Sequence, residues 1–284
     1  MLSGARIGVL TSIPARPLTE DDGAVDATRS LPDAPTIGDA MAARLRAAAI
    51  AVVGCGTAGL LVGGVGSRAV MRIAAMAAPE ARGAVTEAGA VVGDITLGGT
   101  LALMVFAGVG SALLGAGAYL LLGPWLPRET VARGLVFGLT LLALMGPAVI
   151  DPANADFVIL GDRLLNVSMF SALFLAFGLV ASGTIRFVDA RVVPRTPRSP
   201  RMWLLTLVLA VPVVPGILGF ALGSRSGLGV PLAVASLAFA ASGPLERAGH
   251  RSGARAMRLA ATATVVVILV AGASSYVSDA AAIL

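Results

Sequence analysis

Long apolar stretches without a charged side chain alternate with short polar segments along most of this 284-residue chain. An α-helix rises about 1.5 Å per residue, so about 20 apolar residues cross a hydrocarbon core of about 30 Å. Seven charge-free runs approach or exceed that length: Ala47–Gly66, Gly98–Gly123, Gly134–Ile150, Leu164–Thr184, Met202–Gly223, Gly227–Gly243 and Leu259–Val277. The pattern predicts an all-α fold, a polytopic membrane helix bundle of about seven transmembrane helices.

The overall composition supports a membrane environment for this bundle. Apolar residues make up 57% of the chain and charged residues 13%, and the mean hydropathy is +0.89. In an ordinary soluble domain about a quarter of the residues are charged. A soluble chain with so few charges would have to expose large apolar patches to water, which monomeric proteins rarely do.

The arginines, which account for all 21 basic residues, predict the orientation of the helices. With the N-terminus inside, the inner segments carry 16 arginines and the outer segments carry five. Cytoplasmic loops carry such an excess of basic residues. The bias predicts the N-terminus inside and the C-terminus outside, in the inner (plasma) membrane of a bacterium. The sixth run is short and begins near Pro231, but a re-entrant sixth segment would break this bias.

The first 43 residues differ from the rest of the chain. They contain six acidic residues and four prolines, and their longest apolar run, Ile7–Leu10, is too short for a signal peptide. This composition is typical of a disordered segment. We predict an acidic cytoplasmic tail at 1–43 and a seven-helix transmembrane domain at 44–284.

A glycine-rich motif in the first run raises the question of a nucleotide cofactor. Gly54, Gly56 and Gly59 spell G-x-G-x-x-G, the turn that seats a dinucleotide pyrophosphate between a strand and a helix. The sequence that follows does not supply the second strand that this fold needs. We interpret the motif as the smooth face of a membrane helix and expect no cofactor.

Several classes of chemistry lack their residues in this chain. There is no lysine for a retinal Schiff base, and the single histidine, His250, falls in a basic loop rather than in a span. No predicted span has a charged residue at its centre, which disfavours proton relays and carboxylate-driven symport. The single cysteine, Cys55, excludes an internal disulfide and makes a metal cluster improbable. We therefore predict no catalytic residue, no metal site and no enzyme, and we expect no nucleic-acid partner.

Small residues at a spacing of four predict how the helices pack. Lipid chains are as apolar as leucine, so helices in a bilayer associate where small residues allow close contact. Three G-x-x-x-G pairs and the small residues of the second run supply such faces: Gly59/Gly63, Gly134/Gly138, Gly219/Gly223, and Ala107, Ser111 and Gly115. We predict internal packing of one bundle, with a homo-oligomer or a protein partner as the alternative use of these faces. Membrane lipids are the remaining predicted partner.

The candidate ligand or gating residues fall in two places. The fifth run contains "PVVPG", in which Pro212, Pro215 and Gly216 must kink or unwind the helix, as in transporters that bind substrate at unwound backbone. The loops on the predicted outer side contribute opposite charges that can pair or bind an anionic ligand: Arg68, Arg72, Asp94, Asp151 and Asp156. For the two arginines, snorkelling at a helix end is the competing interpretation.

Three short segments resemble a group of multi-pass membrane proteins from high-GC, actinobacterial-type bacteria. They are "SRAVMR" (67–72), "GDITLGGTL" (93–101) and "ADFVILGDRLL" (155–165). The resemblance implies a membrane protein, and it implies no activity and no site residue.

Two hypotheses of function follow from these patterns. The first is permeation or transport of a small neutral or amphiphilic compound, which the broken fifth helix and the polar outer rim favour. The alternative is a non-catalytic accessory, assembly or sensory membrane protein, which the absence of charges in the spans and the acidic tail favour.

Overall fold

Seven long helices form the part of the chain that the computed structural model describes, residues 37–85, 91–92, 96–154, 161–191, 200–223 and 227–284. Each helix is long and apolar enough to cross a membrane. In chain order they are α1 (Gly38–Ala77), α2 (Leu97–Trp125), α3 (Thr130–Val149), α4 (Arg163–Arg191), α5 (Pro200–Leu222), α6 (Gly229–Arg247) and α7 (Arg251–Ile283). The predicted all-α bundle of seven apolar helices is confirmed, including the sixth helix. The orientation of the termini stays a prediction.

The helices extend beyond the charge-free runs. The first begins inside the stretch predicted as a tail, where Ala, Leu and Arg are good helix formers and Asp39 lies in the first turn, near the positive end of the helix dipole. Residues 1–36 of that predicted tail lie outside the described part of the chain. The last helix begins at Arg251, eight residues before the charge-free run, because long arginine side chains can continue a membrane helix into the interface.

Helices α1 and α4 pack against each other, and the other helices extend the bundle from this pair. Helix α1 contacts α2, α4 and the first half of α5, and α3 packs between α4 and α7. Helix α6 packs mainly on α7 and also contacts α2 and the second half of α5. Cys55, Ala116, Phe137, Phe177 and Leu232 lie in the main core, which is built from side chains of several helices.

Contacts between helix ends show that α4 runs in the opposite direction to α1 and to α7. Arg46, near the start of α1, pairs with Asp189, near the end of α4. On the opposite side of the bundle, Arg163 at the start of α4 donates a hydrogen bond of 3.1 Å to the carbonyl of Ile283 at the end of α7. We call the side with the start of α1 the Arg-rich face, and the side with the end of α1 the loop face.

Glycines bring helices together at two of the three predicted pairs. A Cβ on Gly63 would lie 2.6 Å from the carbonyl oxygen of Ala107 in α2, and a Cβ on Gly138 would lie 2.6 Å from that of Phe174 in α4. These approaches confirm internal packing for Gly59/Gly63 and Gly134/Gly138. The third pair differs, because Gly219 approaches only the side chain of Leu114, and the close contact of α5 is made by Gly216 instead.

Candidate functional site

The backbone departs from regular α-helix where α1 crosses α2. The segment Gly59–Gly66 of α1 and the segment Met104–Val109 of α2 are both π-helical. The N–H of Ser67 donates to the carbonyl of Val62, and the N–H of Gly110 donates to that of Val105, in each case five residues back. π-Helices are rare, usually a single turn, and concentrate at functional sites. Two of them in mutual contact mark this crossing as a candidate site.

Small residues and backbone form most of the contact where the π-helical segment of α1 meets α2. A Cβ on Gly59 would overlap the carbonyl oxygen of Gly108, and it would lie 2.7 Å from the Cβ of Ala112. Gly64 faces Met104, whose Cγ is 3.4 Å from the position of such a Cβ. The helices therefore touch through backbone, with few interlocking side chains to hold one register.

The predicted G-x-G-x-x-G turn lies in this same helix. Gly54 and Gly56 are α-helical, and Gly59 begins the π-helical segment, so all three lie within one continuous helix rather than between a strand and a helix. Gly54 packs against the side chain of Ile185 in α4. Gly54 and Gly59 thus allow close helix contacts, whereas a Cβ on Gly56 would meet no atom within 4 Å.

The "PVVPG" segment breaks α5 as predicted. The helix is interrupted at Val211 and Pro212, between an α-helix that ends at Ala210 and one that begins at Val213. Hydrogen bonds continue across the break: the N–H of Val214 donates to the carbonyl of Val211 at 3.1 Å, and that of Gly216 donates to the carbonyl of Pro212 at 3.2 Å. The carbonyls of Val211 and Pro212 are thus engaged, and the side chain of Pro215 is exposed.

Helix α2 connects the broken helix to the π-helical crossing. A Cβ on Gly117 of α2 would lie 2.5 Å from the carbonyl carbon of Gly216 in α5, so these helices also meet backbone to backbone. One face of α2 therefore touches the π-helical part of α1 through Gly108, and another touches α5 four residues after its break. Helix α2 therefore contacts both the π-helical segment of α1 and the broken helix α5.

Arg68 lies just beyond the π-helical segment of α1, towards the loop face. Its side chain is half-buried, and its Nε and Nη2 are fully buried with no hydrogen-bond partner among the described residues. Arg72, one turn later, is exposed. The structure thus separates two arginines that the sequence placed in one class.

The predicted acidic residues of the loop face are only partly within the described residues. Asp151 is half-buried, and its Oδ1 accepts a hydrogen bond of 3.0 Å from the N–H of Ala153, which forms a local turn. Asp94 and Asp156 lie outside the described part of the chain. Whether these three carboxylates bind a ligand or an arginine stays a prediction.

The loop between α1 and α2 forms a short turn in its described part. Val85 and Val91 form an antiparallel bridge, and the N–H of Val92 donates to the carbonyl of Ala84 at 2.9 Å. Ala78, Ala81 and Val92 form a small apolar cluster under this turn. The described residues of this loop are therefore packed onto the end of α1.

The sequence did not predict the polar contacts of the Arg-rich face. Arg133 donates hydrogen bonds to the Tyr119 hydroxyl at 2.9 Å and to the Pro127 carbonyl at 2.8 Å, and its guanidinium stacks on the Tyr119 ring. Arg258 pairs with Glu246 and donates to Ser242. These contacts join residues from different helices. The sequence predicts only the excess of arginine at these helix ends.

One carboxylate on this face has a shifted pKa. Glu129 precedes α3 and accepts hydrogen bonds from the backbone N–H groups of Ala132 and Val131, which hold the pKa of its carboxyl below the usual glutamate range. The arrangement is a helix N-cap, and its role is structural.

Metal and thiol chemistry find little support among the described residues. No group of three or more His, Cys, Asp or Glu side chains that could hold a metal ion occurs within the described ranges. Cys55 is 0% exposed and lies in the apolar core.

No protein-family model, no curated protein and no solved structure matches this chain. The chain is thus assigned to no family, and its function has to be argued from its own residues.

Proposed function

We propose that this multi-pass membrane protein moves a small amphiphilic compound along the crossing of α1 and α2, in the inner membrane of a bacterium. The observation that carries the proposal is the pair of π-helical segments, Gly59–Gly66 and Met104–Val109, packed against each other through glycine. The excess of arginine on one face supports the membrane and its orientation.

The crossing suits a moving part because side chains do not interlock there. Gly59 and Gly63 present backbone to α2, so a shift of one helix along the other does not require large side chains to leave one packed arrangement for another. A π-helical turn stores an extra residue and can be released by a change of helical register. The contact between Gly117 and Gly216 gives α2 a second smooth surface, against α5 just after its break.

The contacts at the two faces differ in a way that fits this motion. Ion pairs such as Arg46 with Asp189 and Arg258 with Glu246 tie helix ends on the Arg-rich face. The first part of α2, Leu97–Leu103, has no buried residue. We infer that the Arg-rich face is the fixed end of the bundle and that α2 moves at the loop face.

Cysteine accessibility tests the proposal without knowledge of the compound. In a Cys55→Ser background, Gly56→Cys and Gly110→Cys place thiols beside the crossing, where an added Cβ meets no other atom within 4 Å. Gly183→Cys in α4 is the matched control, because it also has open space but is exposed on the apolar outside of the bundle. A membrane-impermeant, charged maleimide is added to vesicles that hold the protein in one orientation.

A water-filled path at the crossing predicts labelling at position 56 or 110, and no labelling at position 183, which faces lipid. Replacing Gly59 by Ala should reduce the labelling, because its Cβ would overlap the backbone of α2. If positions 56 and 110 stay as unreactive as position 183 from both sides of the membrane, the crossing is dry and the transport proposal is wrong.

A second candidate function is an accessory role with a protein partner. It is favoured by the apolar surface of α2 between Leu97 and Val109, where Leu97 is 78% and Phe106 is 79% exposed. Photo-crosslinking from position 106 in the native membrane distinguishes the two candidates. A single stoichiometric protein adduct would support the accessory role, whereas lipid adducts alone would count against it.

A further inference from the structure

The side chain of Arg68 presents an unused binding edge. Its two buried nitrogens without a partner among the described residues are Nε and Nη2. Their N–H groups point in the same direction and together form one side of the planar guanidinium. This side matches the two oxygens of a carboxylate or phosphate, with which arginine forms paired hydrogen bonds.

Leaving this edge empty is costly for the protein. A buried donor without a partner loses its hydrogen bonds to water, and the loss is greater for a charged group. Snorkelling at the helix end does not explain the burial of Nε and Nη2, because a snorkelling side chain would place these nitrogens in water. Arg72 shows the ordinary behaviour, since it lies one turn further along the same helix and is exposed.

The surroundings of Arg68 are those expected for an amphiphile. Leu61 and Val65 precede Arg68 and Arg72 at spacings of four, three and four residues, which places the four side chains along one side of α1. Leu61 and Val65 are 55% and 51% exposed, so an apolar strip leads from the middle of the helix up to the guanidinium. A hydrocarbon chain can lie on this strip, and its charged group can reach the buried nitrogens of Arg68 when the neighbouring groups that cover them move aside.

We propose that Arg68 is the headgroup site for an amphiphilic oxyanion, a carboxylate or a phosphate monoester or diester on a hydrocarbon chain. The Nε and Nη2 edge binds two oxygens of the anion, and Leu61 and Val65 contact the chain. The ligand is either a lipid of the membrane or a diffusible amphiphile. This inference deepens the proposed function by naming the chemical class of the compound that is moved, and in that respect it rests on the proposed function.

Binding is tested with the purified full chain in a nonionic detergent. The probes are decyl phosphate and decanoate as amphiphilic anions, inorganic phosphate as the headgroup alone, and decanol as the uncharged chain. The readout is the shift of the thermal unfolding midpoint with probe concentration. Native mass spectrometry of the same samples, purified in the presence of phosphatidylglycerol, counts retained lipid and its displacement by decyl phosphate.

The variants are R68Q and R68K, with R72Q as the matched control on the next turn. We expect the amphiphilic anions to raise the midpoint of the unmodified protein and of R72Q, and to have no effect on R68Q. R68K keeps the charge but loses the paired donors, so it should bind about tenfold more weakly. If R68Q is too unstable to purify, the comparison of R68K with R72Q carries the test.

Three results would overturn the proposal. Equal shifts of the midpoint in R68K, R68Q and the unmodified protein would show that the anion does not bind at Arg68. A shift with decanol or inorganic phosphate as large as that with decyl phosphate would show that the site does not select an amphiphilic oxyanion. A charge reversal at Arg68 that is rescued by reversing Asp94 or Asp156 would show that a carboxylate of this chain fills the edge. Retained phosphatidylglycerol that decyl phosphate displaces identifies a lipid source, and its absence together with decyl phosphate binding identifies a diffusible amphiphile.

The outcome is independent of the accessibility experiment. Anion binding at Arg68 without maleimide access at the crossing would support the headgroup site and contradict the transport proposal. Maleimide access at the crossing without anion binding would support the transport proposal and exclude amphiphilic oxyanions as its substrates.

Discussion

Gly117 of α2 and Gly216 of α5 lie in direct backbone contact, so that a Cβ on Gly117 would be 2.5 Å from the carbonyl carbon of Gly216. Neither backbone can recede easily, because Gly216 in turn faces the carbonyl of Leu113. We expect Gly117→Ala to lower the free energy of unfolding by about 1–3 kcal/mol through overpacking. Gly110→Ala is the control in the same helix, since its Cβ meets no atom within 4 Å. Equal thermal midpoints for the two variants would contradict the contact.

The single cysteine offers the means to measure these midpoints. Cys55 is 0% exposed and packs in the core beside Gly115. We expect its thiol to be inert towards a thiol-reactive fluorophore in the folded protein and to react on unfolding. Gly249→Cys, in the exposed turn between α6 and α7, should react at once in the folded protein. Rapid labelling of Cys55 below the unfolding transition would show that the core opens locally.

Arg46 and Asp189 join the start of α1 to the end of α4, two helices that are far apart in the sequence. Arg46 pairs with the Asp189 carboxylate and donates 3.0 Å to its backbone carbonyl, with 18% and 56% of the two side chains exposed. A pair this exposed contributes little, so we expect a coupling energy of about 0.5–1 kcal/mol in a double-mutant cycle of Arg46→Gln and Asp189→Asn. Arg44→Gln, at an exposed position one helical half-turn away, is the control and should show no coupling with Asp189.

Glu129 predicts a pH dependence of stability. Its pKa is lowered in the folded protein by hydrogen bonds from the N–H groups of Ala132 and Val131. The folded state therefore binds a proton less readily than the unfolded state, and the contribution of Glu129 is present above the unfolded pKa and lost as the pH falls through the folded pKa. We expect Glu129→Gln to lower the thermal midpoint at neutral pH, with the difference from the unmodified protein shrinking as the solution is acidified below the ordinary glutamate range. A difference that grows on acidification would contradict the cap.

The orientation in the membrane can be measured at two exposed glycines with positive φ. Gly249 lies between α6 and α7 on the Arg-rich face, and Gly227 lies between α5 and α6 on the loop face. Reporters fused at these positions should read as cytoplasmic at 249 and extracytoplasmic at 227, because basic residues accumulate inside. The reverse result would show that the bundle has the opposite orientation. The same location at both positions would show that α6 does not span the membrane.

The number and type of helices could be predicted because a bilayer imposes its thickness on the sequence. A run such as Leu164–Thr184 is free of charge over the length that lipid requires, and α4 contains it whole. The pairing of the glycine faces followed for the same reason, since Gly63 and Gly138 have no other way to contribute to packing in lipid.

The π-helical crossing and the paired helix ends could not be predicted in this way. A π-helical turn depends on which neighbour the backbone approaches, and the run "GLLVGGVG" is equally compatible with an α-helix. The partners Arg46 and Asp189 are separated by 143 positions, and nothing local in the chain connects them. Arg68 and Arg72 show the same limit, because burial of one guanidinium and exposure of the other depend on the neighbouring helices.

The unequal lengths of the helices bear on the membrane itself. Helix α1 has 40 residues and α6 has 19, which correspond to about 60 Å and about 28 Å of helix. A long helix adapts to a bilayer by tilting or by projecting from it, whereas a short one requires local thinning of the bilayer, snorkelling of the flanking side chains or oligomerisation. Hydrophobic mismatch therefore acts on this protein chiefly through α6, and the acyl-chain length of the surrounding lipid is a variable to which its packing on α7 is sensitive.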